Sequence, residues 1–146
     1  MVKKCVLYFI LFVVSVPLSG FGQNNAIDSL IVRPLSSKVN ANTLYKITFV
    51  SPVMVPTDAQ FILRFPDQFD LSQLNLAGSS KIDGGFLLIK KGQQIVVKRR
   101  GEGNIIDPGK ALDLLLSVVK NPGKKSTDYQ LQFQILNNQG VFLTDS

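Results

Sequence analysis

The sequence has one cysteine (Cys5), no histidine and no tryptophan in 146 residues. Cys5 lies at the front of an N-terminal segment that is expected to be removed, so the remaining chain has no disulfide. Cys/His zinc sites, cysteine nucleophiles and Ser/His/Asp triads are excluded by composition. Glutamate is nearly as scarce, with Glu102 standing alone. A glycosidase needs two carboxyl groups about 5–10 Å apart. The candidates to partner Glu102 are Asp67, Asp70, Asp83 and Asp107, all among turn residues, where aspartate ordinarily bonds to nearby backbone. These loops also lack the regular oxygen-ligand spacing of a calcium loop. The expectation is therefore no enzyme, no catalytic residue, no metal and no cofactor.

Long apolar runs are missing too, except from Cys5 to Val16. Pro17 stops that run at about a dozen residues, short of the roughly 20 that span a membrane. With Lys3 and Lys4 before it and Gly20 and Gly22 after it, the layout is that of a secretory signal peptide. Cleavage is expected between Gly22 and Gln23. A lipoprotein is disfavoured because Cys5 precedes the apolar run instead of following it. Removing residues 1–22 of 146 leaves 124, one domain of ordinary size. Two lysines and no acid depart with them, so the net charge falls from +6 to +4. The expected location is extracellular or at the cell surface, with the periplasm as an alternative and no permanent membrane span.

What is present is apolar spacing of period two, broken at Gly, Pro, Asn and Asp, which is a β pattern. Residues 23–42 form an N-terminal segment with a possible first strand at Ser29–Arg33, ended by Pro34. Residues 43–146 form the main domain. Thr43–Val50, Ala59–Pro66 and Ser126–Gly140 alternate cleanly, the last interleaving Gln130, Gln132 and Gln134 with Leu131, Phe133 and Ile135. Phe86–Arg100 reads as a hairpin turning near Lys91 and Gly92, with inward residues unassigned because a one-residue slip would exchange its faces. Residues 111–119 fit either a helix capped by Asp107 and Pro108 or a strand with Leu112, Leu114, Leu116 and Val118 on one side. The strand is preferred because every neighbour is a strand. Expected inward positions are Tyr45, Ile47, Phe49, Phe61, Leu63, Phe65, Leu112, Leu114, Leu116, Val118, Leu131, Phe133 and Ile135. Strands with one apolar face must bury it against a second sheet. The fold class is thus all-β, an antiparallel sandwich of about seven or eight strands.

The order "LYKITFVSP", "AQFILRFPDQFDLS", "LDLLLSVVKNP", "DYQLQFQILNNQGVFLTD" resembles an immunoglobulin-like module of large secreted and surface-displayed microbial proteins. The shared features are Phe65-Pro66 before Phe69, and Asn121-Pro122 before an alternating strand and Gly140. The resemblance spans Thr43 to Asp145 and implies an Ig-like sandwich in an adhesin-like or scaffolding context. It supplies no catalytic or ligand residues.

The most visible candidate site is basic: Lys90, Lys91, Lys98, Arg99 and Arg100 fall within one hairpin. On a ribbon they could hold an anionic glycan or polymer. As edge-strand charges they would instead discourage sheet-to-sheet pairing. No aromatic lies between them to stack on a base or a sugar, so no specific nucleic acid is expected. Gly101, Gly103 and Gly109 lack the helix start and the Gly-Lys-Ser/Thr ending of a phosphate loop and read as a turn. Outside the signal only Tyr45 and Tyr129 supply tyrosine rings, which is little for a sugar-binding platform. The leading expectation is a noncatalytic surface module, a spacer or adhesive unit contacting a protein or glycan. The basic hairpin provides the alternative of an anionic-polymer site.

Overall fold

Period-two alternation becomes strand over Thr43–Val50 and most of Ala59–Pro66, whereas of Ser126–Gly140 only Gln132–Leu136 is a strand. Residues 26–126 and 128–145 are described in a computed structural model of the chain; the signal-peptide reading of residues 1–22, Cys5 included, lies outside them. The described residues contain nine strands and no helix: β1 (Asp28–Pro34), β2 (Asn42–Val50), β3 (Gln60–Arg64), β4 (Leu76–Gly78), β5 (Phe86–Lys91), β6 (Gln94–Arg99), β7 (Ala111–Lys120), β8 (Gln132–Leu136) and β9 (Phe142–Asp145). They pair antiparallel into a four-stranded sheet, β1-β2-β7-β4, and a five-stranded sheet, β5-β6-β3-β8-β9. The two sheets enclose one core, and the strand alternative for residues 111–119 holds.

β2 sends Tyr45, Ile47 and Phe49 inward, and β3 sends Phe61 and Leu63. On β7 the inward residues are Leu112, Leu114 and Leu116. Phe133 of β8 meets Phe49 at 4.8 Å and stacks on Phe61 at 6.2 Å, tying the sheets together through rings. The long connection before β5 also contributes, since Leu71, Leu74 and Ile82 are buried.

Two inward assignments need correction. Val118 is only half-buried, and Val119 takes its place in the core. Thr43 pairs with Val119 and Tyr45 with Leu116, so two steps along β2 face three along β7. That extra residue reverses the alternation. Leu131 packs on the core only in part and precedes β8. The β3 ladder stops at Arg64 opposite Gln132, and the Pro66 that follows has no N–H to continue one.

Candidate interaction surface

The outward face of the five-stranded sheet is a lattice set by register. Ile89 of β5 lies opposite Val96 of β6, which lies opposite Ile62 of β3, which lies opposite Gln134 of β8. One row toward the open end stand Leu87, Lys98, Gln60 and Leu136, and Leu136 pairs with Phe142 of β9. One row toward the hairpin turn stand Lys91, Gln94, Arg64 and Gln132. Aliphatic residues therefore fill the centre, glutamines one flank, and cations two sides. Leu87 is 49% exposed, Ile89 38% and Phe142 49%.

This register distributes the five cations of the hairpin. Lys91 and Lys98 share the outward face at opposite ends, and Lys98 Nζ donates to Asn138 Oδ1 at 2.6 Å. Lys90 lies on the other side at the sheet edge, where its ammonium donates to the carbonyls of Leu71 and Ser72. Arg100 lies beyond β6, and its Nε donates to Phe86 O. Arg99 is not on the surface at all, because strand alternation turns it opposite to Lys98 and buries it completely. Its guanidinium donates to Pro56 O at 2.8 Å and Asn104 O at 2.7 Å and pairs with Asp83 at 3.3 Å. Burial pulls the Arg99 pKa down, against a smaller opposing push from Asp83 and Asp58. The hydrogen bond from the Asn104 backbone N–H leads in holding the Asp83 carboxyl below its ordinary value.

Arg99 and Asp83 together fasten three loops. Gly84, at φ +85°, has no room for a Cβ beside the Glu102 carbonyl, and Gly103 has none beside Asp83. These glycines serve turn geometry and close packing. Glu102 is exposed on the same loop. Asp70 accepts from the Ser72 N–H and Asp107 pairs with Lys110, so both carboxylates act within their own turns. Among the described residues, no three acidic side chains are grouped closely enough to hold a metal ion.

On the opposite side of the molecule, the four-stranded sheet's outward face centres on Asp113. Its carboxylate accepts from Ser79 Oγ at 2.7 Å, Ser80 N at 2.9 Å and Ser80 Oγ at 2.7 Å, with Lys46 Nζ at 3.6 Å. Burial pushes the Asp113 pKa up, but hydrogen bonds from Ser80 and Ser79 and the charge of Lys46 outweigh it and leave it lowered. The segment after β4 is thereby tied to β7 over Asp113, while Ile31 and Leu76 stay exposed on the same face.

No family model matches the sequence, and no curated protein matches it. Among solved structures, the chain is similar to a cohesin module from a family 33 glycoside hydrolase of Clostridium perfringens. The TM-score is 0.52 at 16% identity, covering 83% of this chain and 90% of that one. It is also similar to the N-terminal domain of a Streptococcus gordonii adhesin, with TM-score 0.48, 16% identity and coverage of 76% and 29%. A non-cellulosomal cohesin of the archaeon Archaeoglobus fulgidus gives 0.47 at 13% identity, covering 82% and 87%. The first of these likenesses identifies the fold as a β-sandwich of the kind used by cohesin modules. No helix among the described residues is long and apolar enough to cross a membrane.

Proposed function

We propose that this chain is an exported, noncatalytic interaction module with an Ig-like sandwich, and that it docks a protein partner on the outward face of its five-stranded sheet. One observation carries the reading: Leu87 and Ile89 stand exposed two residues apart on β5, backed by the buried Val96 and the half-buried Ile62, on a sheet whose backbone is fixed by four ladders. Contiguous exposed apolar surface rimmed by polar groups is characteristic of protein docking sites. Lys91, Arg64 and Lys98 supply that rim, so the matching partner has an apolar centre and acidic flanks. The sandwich fold shared with a cohesin module agrees with a binding role.

The test presents residues 23–146 to envelope and secreted proteins of the native host, as wild type, as Leu87→Glu and as Lys91→Ala/Lys98→Ala. Retention of a protein by the wild type and its loss in Leu87→Glu supports the reading. Retention of anionic polysaccharide alone, lost only in the lysine variant, favours a polymer site and contradicts it. Export is tested separately by N-terminal sequencing of the secreted chain, which should begin at Gln23.

A further inference from the structure

We infer that a second site lies between the sheets, a cleft for a single-chain anionic amphiphile such as a monomeric long-chain carboxylate. It occurs where the sandwich is not closed. β1 pairs only with β2, and the short β9 covers β8 only from Gln134 to Leu136, so the approach to β8 from Tyr129 to Leu131 runs beside β1 without a strand between them. The gap has a volume of about 580 Å³, within the roughly 300–1,000 Å³ of small-molecule sites. Its floor is a chain of rings: Tyr45 meets Phe65 at 5.9 Å, Phe65 meets Phe69 at 5.5 Å and Phe69 meets Tyr129 at 5.3 Å. Val32 and Leu131 form walls, and both are only partly buried.

Chemistry of the lining selects the ligand. Seven side chains with polar groups border the cleft: Ser37, Lys124, Lys125 and Ser126 stand exposed at its rim, and the other three use their polar atoms internally. Tyr45 OH donates to Asn121 Oδ1 at 2.6 Å, Asn121 Nδ2 donates to Ser36 O and Lys38 O at 2.8 Å each, and Tyr129 OH donates to Lys124 O at 3.0 Å. A sugar entering here would give up water for few hydrogen bonds, a costly exchange. A hydrocarbon chain gives up no hydrogen bonds to water and gains the half-covered apolar walls, which offsets the cost of ordering it. Lys124 and Lys125 stand exposed at the mouth, placing positive charge where the chain's head would emerge and favouring a carboxylate over a neutral or cationic head. This site is separate from the outward sheet face and does not depend on the partner proposed for it.

The experiment titrates residues 23–146 with dodecanoate below its aggregation concentration, following backbone amide shifts and heat. Dodecyltrimethylammonium and anionic vesicles serve as comparison arms. Saturable one-to-one binding of dodecanoate is expected, with shifts concentrated at Val32, Phe69, Tyr129 and Leu131. Lys124→Ala/Lys125→Ala, a surface change that leaves the fold intact, should weaken it about fivefold at low salt. Leu131→Trp should fill the cleft and abolish it. Equal affinity for the cationic analogue, no saturable binding of monomer, binding to vesicles alone, or shifts mapping to Leu87 and Ile89 would each overturn the inference.

Discussion

The two outward faces of the sandwich are built from the same period-two strands and end up opposite in character. On the four-stranded side the charged group Asp113 points out and binds Ser79 and Ser80 beside the edge strand β4. On the five-stranded side the corresponding fastener, Arg99, points in and gathers the loops at Pro56, Asp83 and Asn104 from beneath. One face is therefore fastened locally around Asp113, although Ile31 and Leu76 stay exposed on it, and the other is bare of any such fastener. The polar cluster on the first side reaches its outward surface, whereas on the second the polar network lies beneath and Leu87 and Ile89 stand exposed beside the buried Val96.

The strongest test of that contrast removes the inward fastener. Arg99→Ala should destabilise by about 3 kcal/mol, since it empties the space of a fully buried side chain and takes the shared donor from the Pro56 and Asn104 carbonyls, and the loss should appear as a lower urea midpoint. Asp113→Ala should also destabilise, by about 2 kcal/mol, because here the donors of Ser79 and Ser80 lose their acceptor. The pH dependence separates the two. Asp113 has its folded pKa below the unfolded value of about 3.9, so its contribution is complete above that value and is lost as pH falls through the lowered folded one. Asp113→Asn should flatten the acid limb of a urea-midpoint profile, whereas Arg99→Ala retains the Asp113 part of that slope. Tyr45 acts at the other extreme: burial pushes its phenol up to about 12. The unfolded chain then releases its proton first, near 10, and stability should decline as pH rises beyond that. Smallest of all, Leu87→Glu on the bare face should move stability by less than about 0.5 kcal/mol, even as it removes docking.

Much of the core could be read from spacing. Tyr45, Ile47 and Phe49, then Phe61, Leu63 and Phe65, alternate without a break and all face inward. Val119 could not be read, because the extra β7 residue that turns it inward exists only in the pairing with β2. Leu71, Leu74 and Ile82 sit in turns, where no period announces burial. The bare face was hidden for a related reason: Phe86-Leu87-Leu88-Ile89 is apolar throughout, so either alternate pair could have faced the core. Pairing of Lys91 with Gln94 across Gly92 and Gln93 fixes Leu87 and Ile89 outward. The basic cluster misled in the same way, since proximity in sequence placed Lys98 and Arg99 together and the strand put them on opposite sides.

The claim that one face docks and the other does not is tested most directly by a matched pair of isoleucines. Ile89 on the five-stranded face is 38% exposed and Ile31 on the four-stranded face is 42% exposed. With the captured partner immobilised, Ile89→Glu should lose retention and Ile31→Glu should keep it at the wild-type level. Loss in Ile31→Glu with Ile89→Glu unaffected, or equal behaviour of the two, would contradict the account.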